Sequence, residues 1–309
     1  MKTKDLLSVA DLSAAETEKI IAQALKMKRV PVPQLLSGKI LALMFEKPSL
    51  RTRVSFEVAV HQLGGYCFYL SPDEVGLGKR EPVSDVAQVL SRYVHGIIAR
   101  TFSHEALQML ARYSTVPVIN ALSDEEHPCQ ALADILTIHE KKGKLKGLNL
   151  AYIGDGNNVA NSLLLAAVNT GVNFRIAAPP GYVVKDEILQ KAKGLAVNSG
   201  SQILLTEKPE EAVNDADVVY TDVWTSMGQE AEAEKRRKDF ARYQVDARLL
   251  SLAKKDVIFM HPLPAHHGEE VAVGLLDSTY SVVFDQAENR LHLQKALLAE
   301  MFGRVGRTR

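Results

Sequence analysis

After an opening helical stretch from about Asp11 to Lys28, short apolar runs alternate with amphipathic runs of helical period along the whole chain. The pattern occurs twice. In the first set it predicts strands at Ile40–Phe45, Tyr66–Leu70, Gly96–Arg100 and Val116–Asn120, with a helix opened by Pro128 running to about Lys141. The polar stretch Lys141-Lys142-Gly143-Lys144 then marks a boundary. In the second set the strands fall at Leu148–Ile153, Phe174–Ala178, Gln202–Thr206, Val218–Thr221 and Val257–Met260. A further run, Ser281–Phe284, precedes a last helix from about Asn289 to Phe302. Strands alternating with helices predict parallel sheets covered on both faces: an α/β fold of two doubly wound domains of similar size joined by interdomain helices. The expected division is 1–142, 143–285, and a C-terminal helical segment 286–309 that packs back toward the first domain. Ligand groups are expected at the carboxyl ends of the strands, where open α/β sheets bind small molecules.

Composition supports two ordinary cores and narrows the partners. The 309 residues are 46% hydrophobic, and 37 basic residues balance 37 acidic ones. No global field attracts nucleic acid or an anionic membrane, so anion binding has to be local. No segment approaches the roughly 18 apolar residues of a membrane span, and the polar start reads as no signal core. The two cysteines, Cys67 and Cys129, form no CxxC pair, which fits a reducing, cytoplasmic setting; Cys67 is expected in the core and Cys129 packed at a helix start.

Between the first strand and its helix stands Phe45-Glu46-Lys47-Pro48-Ser49-Leu50-Arg51-Thr52-Arg53. Two arginines in a first helical turn oppose the positive end of the helix dipole, which makes sense mainly where an anion fills the site. Backbone N–H groups, the Ser49 and Thr52 hydroxyls and the guanidinium forks suit a phosphate. Taken alone, the arginines could equally face solvent. Arg100 ends another strand, and His127-Pro128-Cys129-Gln130 opens the next helix. Singly, Arg100 reads as well as a surface ion-pair member, and His127 as a capping residue. In a doubly wound sheet the three segments converge on one edge, a phosphate cradle beside a second cation and a neutral donor.

These motifs, with Gln286-Ala287-Glu288-Asn289-Arg290, resemble the aspartate and ornithine carbamoyltransferases over essentially the whole chain. The resemblance implies that Ser49, Leu50, Arg51, Thr52, Arg53, Arg100 and Arg290 bind the phosphate of carbamoyl phosphate. It further implies that Arg100, His127 and Thr52 reach the carbonyl oxygen, and that Gln130 with backbone groups of Pro262 and Leu263 holds the carbamoyl amide. An amine attacks the carbonyl carbon, charge grows on its oxygen and phosphate departs, so preorganised donors on both groups lower the barrier.

For the acceptor, Asp222-Val223-Trp224-Thr225-Ser226-Met227-Gly228 follows a strand and resembles the signature of the ornithine enzymes. Asp222 suits an α-ammonium; Asn158, Ser226 and Met227 would meet the rest of the head group, leaving the δ-amine of L-ornithine to attack. The implied products are L-citrulline and phosphate, within arginine biosynthesis. The resemblance also implies no cofactor, no metal and a cytoplasmic homotrimer or multiple of trimers.

Other readings compete. Gly154-Asp155-Gly156-Asn157-Asn158 suggests a dinucleotide loop, but Val159 stands where the third glycine belongs, and Ala177-Ala178-Pro179-Pro180 offers no ribose-binding acid. His266 and His267 are adjacent and lack a third ligand at zinc-like spacing. The charge-rich run Glu232–Arg242 reads as a solvated helix or mobile loop whose position after Gly228 would suit a lid.

Three positions depart from the ornithine enzymes' pattern. Leu50 replaces a threonine. Pro262, in His261-Pro262-Leu263-Pro264, replaces a cysteine, so a thiol contact to the amine is absent. Gly76 stands where relatives place a residue reaching a neighbouring subunit, with Lys79 or Arg80 as nearby substitutes. Pro262 keeps open another acceptor such as putrescine, and a non-catalytic family member is the reading from another class.

Overall fold

The computed structural model describes residues 1, 3–30, 33–78, 80–226 and 228–303. The chain forms two compact units, Met1–Leu136 with Glu288–Arg309, and Thr137–Ala287. The chain passes from one to the other within two helices, at Leu136–Thr137 and at Ala287–Glu288.

The first unit contains α1 (Ala14–Arg29), β1 (Ile40–Phe45), α2 (Leu50–Gln62), β2 (Tyr66–Leu70), α3 (Pro72–Val75), α4 (Val83–Tyr93), β3 (Gly96–Arg100), α5 (His104–Tyr113) and β4 (Val118–Leu122), and leads into α6 (Pro128–Lys142). Its sheet is parallel throughout, in the order β2-β1-β3-β4. The chain moves outward from β1 to β2 and then returns to the other side of β1 to make β3. That reversal opens a crevice between the carboxyl ends of β1 and β3, where Phe45 is paired with Arg100.

The second unit contains β5 (Asn149–Ile153), α7 (Asn158–Asn169), β6 (Asn173–Ala177), α8 (Asp186–Ser199), β7 (Ile203–Thr206), α9 (Pro209–Val213), β8 (Val218–Thr221), α10 (Ala233–Asp239), α11 (Ala247–Leu250) and β9 (Ile258–Met260), and ends in the first turn of α12 (Val283–Phe302). Its parallel order, β7-β6-β5-β8-β9, places the reversal between β5 and β8. Ile153 pairs with Thr221, whose hydroxyl donates to the Ile153 carbonyl at 2.6 Å. The central strands of each sheet are buried on both faces: Leu41–Phe45 and Ile97–Ala99 are inaccessible in one, Leu150–Ile153 and Val218–Tyr220 in the other.

Two of the boundaries that differ from the sequence reading do so for identifiable reasons. Strand β4 starts at Val118, two residues late, because Pro117 has no N–H to enter a ladder. Its free side is instead taken by Leu6, which exchanges bonds with Val118 and Asn120. Helix α12 starts at Val283 rather than near Asn289. The run Ser281–Phe284 makes only a single bridge, Ser281 with Phe259, and the buried positions Val283, Gln286, Arg290, Leu293 and Leu297 already follow helical period.

Candidate active site

Ser49 caps α2, its hydroxyl accepting from the Thr52 amide at 3.4 Å and donating to Thr52 Oγ1 at 3.0 Å. The same Oγ1 accepts from Arg290 Nη2 at 2.7 Å, so a helix from the far end of the chain is tied to this turn. Arg51, Arg100 and Arg290 stand close enough that each of the last two, with burial, disfavours charge on a neighbour. The Arg100 guanidinium is pushed down to about 10, first by burial and then by Arg290 and Arg51. Burial, then Arg290 and Arg100, hold His127 well below the usual imidazole range. His127 is therefore a neutral donor or acceptor at physiological pH, and the arginines remain cations. Arg100 Nε is buried without a hydrogen-bond partner among the described residues. Like charges gathered at a helix N-terminus and a strand crevice are compensated by a multivalent anion.

The structure brings Ser49, Arg51, Thr52, Arg100, His127 and Arg290 together, with Leu50 exposed on the first turn. Gln130 lies buried one turn into α6, its amide nitrogen donating to Asp134 Oδ1 at 2.8 Å. Arg53 does not join them. Two helical residues on from Arg51 it is rotated by about 200°, its Nε paired with Glu57 at 2.9 Å and its guanidinium 4.1 Å from the Tyr69 ring centroid. Lys47, in contrast, belongs beside Arg100: burial and then Arg100 lower its affinity for a proton, and its ammonium lies 4.4 Å from the Phe102 ring centroid. Glu46 ties the two strand ends, its amide donating to the Arg100 carbonyl and its carboxylate accepting from the Phe102 amide.

In the second unit Asp222 is buried at the reversal between β5 and β8. Burial raises its carboxyl above the usual range; a 2.8 Å hydrogen bond donated by Asn157 works in the opposite sense. Asn157 also caps α7, its Oδ1 accepting from the Val159 and Ala160 amides. The sequence reading named Asn158, the first residue of α7, and passed over Asn157, although an Asn immediately before an apolar helix is itself a capping signal. The Ser226 amide donates to Gln229 Oε1 at 3.1 Å; Met227 lies outside the described residues. Pro262 and Leu263 follow β9, with Leu263 in the left-handed region at φ 57° and a cis bond to Pro264.

The charge-rich run is anchored on one face. Arg236 is buried and donates to Asp155 Oδ2 and the Trp224 carbonyl, each at 2.8 Å, while Phe240 is fully enclosed. Gly76 adopts φ 51° as the left-handed end of α3; Lys79 lies outside the described residues. Near the adjacent histidines, ligand atoms of His266, Glu269 and Glu270 lie within 4.8 Å of one another, but Glu269 is already paired with Arg237 at 2.9 Å.

Residues 4–140 match the carbamoyl-P binding domain of the aspartate/ornithine carbamoyltransferases, and residues 146–301 their Asp/Orn binding domain. The chain belongs to this family. It is 53% identical over 307 residues to an ornithine carbamoyltransferase of Anoxybacillus flavithermus, covering 97% of each chain. Among solved structures it is similar to the ornithine carbamoyltransferase of Pyrococcus furiosus, with a TM-score of 0.95 and 51% identity over 98% of each chain. The anabolic ornithine carbamoyltransferase of Campylobacter jejuni gives 0.93 and 41%, over 97% of this chain and 99% of that one. Family membership thus assigns the cationic crevice of the first unit and the carboxylate crevice of the second to the two domain types that the family pairs.

Proposed function

We propose that this chain transfers the carbamoyl group of carbamoyl phosphate to the δ-amine of L-ornithine, giving L-citrulline and phosphate. The buried Asp222 carboxylate at a sheet reversal, oriented by Asn157, carries the acceptor half of the reading. A carboxylate enclosed in this way is matched by an α-ammonium, and the relatives named above are ornithine enzymes.

Arg51, Arg100, Arg290, Ser49 and Thr52 hold the phosphate, while Arg100, Thr52 and neutral His127 face the carbonyl oxygen. Gln130 and the carbonyls of Pro262 and Leu263 hold the carbamoyl amide; Asp222, Asn158, Ser226 and Met227 hold the amino-acid head group. The δ-nitrogen lone pair attacks the carbonyl carbon, the bond from that carbon to the phosphate oxygen breaks, and the phosphate leaves with the electron pair. The amine proton passes to an oxygen of the departing phosphate, which leaves as the hydrogen phosphate dianion, a scheme that calls for no metal or cofactor. Arg53 has no place in this scheme.

The test is an acceptor panel with carbamoyl phosphate and ornithine, N-acetylornithine, putrescine, lysine or aspartate. Citrulline formation is expected from ornithine, with no comparable turnover of putrescine, which lacks the α-ammonium and carboxylate. Putrescine turnover alone would instead fit the missing thiol at Pro262 and sink the ornithine reading; binding without any turnover would make the chain a non-catalytic relative.

The reaction falls in arginine biosynthesis, in line with the anabolic relative, and takes place in the cytoplasm. Among the described residues no helix is long and apolar enough to cross a membrane. A homotrimer, or a multiple of it, completes the sites. Light scattering is expected to return three protomers or a multiple; a fully active monomer would overturn this assembly.

A further inference from the structure

His261 is fully enclosed in the second unit between two buried carboxylates, Asp222 and Glu270. Its backbone amide donates to Gln286 Oε1 at 2.9 Å. Its ring nitrogens face different partners. Nδ1 accepts from the Leu263 amide at 2.9 Å, and Nε2, which makes no aligned hydrogen bond, lies 3.3 Å from Glu270 Oε1. Glu270 is itself fixed: Oε1 also accepts from the His266 amide at 2.5 Å, and its own carbonyl accepts from the Val245 amide. A nitrogen that accepts from an N–H carries no proton, so the neutral ring has its proton on Nε2, toward the carboxylate.

We propose that Glu270 and His261 are a positioning pair: Glu270 selects the Nε2–H tautomer, and Nδ1 then holds the Leu263 amide and so aims the carbonyls of Pro262 and Leu263. Leu263 is one of only two described non-glycine residues at positive φ, a conformation that persists where surrounding groups fix it. Proline at 262 has neither a side-chain proton nor an amide hydrogen. The pair therefore has no proton to move at that position, and its effect runs through the backbone. This inference rests on the reading that the Pro262 and Leu263 carbonyls hold the carbamoyl amide.

The experiment combines a double-mutant cycle with imidazole 15N NMR. His261→Leu removes the acceptor for the Leu263 amide, whereas His261→Asn restores one, since an Asn oxygen accepts from the amide two residues on. His261→Leu and Glu270→Leu are each expected to lower kcat/KM for carbamoyl phosphate at least about tenfold, the worth of one buried hydrogen bond, mainly through KM. His261→Asn should recover most of that loss. In the His261→Asn background Glu270→Leu should change kcat/KM by less than about twofold, because its route through the ring is gone. Equal effects of Glu270→Leu in both backgrounds would overturn the pairing, as would wild-type constants in His261→Leu. NMR of the wild-type protein tests the tautomer without turnover: Nδ1 unprotonated and Nε2 protonated are expected, and a protonated Nδ1 overturns the proposal even if a variant fails to fold. Absence of citrulline formation by the wild type would sink the ornithine reading, and the NMR result stands apart from it.

Discussion

Replacing Arg100 by alanine is expected to lower kcat/KM for carbamoyl phosphate by about 10²–10³, the usual loss when one preorganised transition-state donor is removed. Arg100 is only 9% exposed, at the end of β3 and opposite the end of β1. Even pushed down to about 10 by burial and by its two arginine neighbours, it stays charged at pH 7. Both properties matter. A rigidly held cation beside a leaving phosphate pays no reorganisation during the reaction, and its low-dielectric setting strengthens the attraction.

The same clustering predicts an opposite effect on stability. Without ligand, Arg100→Ala relieves repulsion from Arg51 and Arg290 and should not lower Tm as a buried deletion otherwise would. With saturating inorganic phosphate the wild type should gain Tm by mass action, and the variant should gain far less. Arg53→Ala is the internal control. Paired with Glu57 on the outer side of α2, it is expected to keep near-normal kcat/KM. A variant series in which Arg53→Ala is as damaging as Arg100→Ala would show that the phosphate site is drawn around the wrong face of this helix.

Why Arg53 was grouped with Arg51 illustrates what the sequence does and does not display. The conflict between cations and a helix N-terminus is local, so the Ser49–Arg53 turn was legible as an anion site from its residues. The direction of each side chain depends on helical phase, which the five-residue motif does not show; Lys47, ahead of the helix, meets Arg100 and Phe102 only once β1 and β3 are paired. Strands β1, β3 and β8 fall where the apolar runs end, because buried parallel strands are continuous in hydrophobicity. β4 slips at Pro117, and α12 absorbs a run short enough to read either way.

Long-range partnerships were least legible. Arg236 sits in a charge-rich run and looks solvated until Asp155, 81 residues away, is placed against it. Glu270 was hidden beside the adjacent histidines, since its relation to His261 exists only once the chain has turned after β9. Asn157 had a legible cap and an illegible second role, because the bond to Asp222 spans 65 residues.

Asp222→Asn is expected to reduce kcat/KM for ornithine by at least about 10², because truncating one partner of a buried charge pair commonly costs 2–5 kcal/mol. It should do so while raising the Tm of the unliganded protein at neutral pH. Burial is the largest influence on this carboxyl and raises its pKa, outweighing the Asn157 hydrogen bond. A folded-state pKa above the unfolded value stabilises the fold fully at pH below the unfolded carboxylate pKa. That contribution is lost as pH rises through the folded pKa, where the buried group must ionise without its ligand. Asparagine keeps an oxygen for Asn157 to donate to and never ionises. The Tm advantage of Asp222→Asn over the wild type should therefore be absent at acid pH, open above the ordinary carboxylate range and persist at pH 7. Saturating ornithine should close the gap from the wild-type side, since an α-ammonium supplies the charge that folding leaves unmatched. A variant that loses ornithine turnover and also loses Tm at every pH would mean that Asp222 is a structural member of the β5–β8 crevice, with no stored cost released by the acceptor.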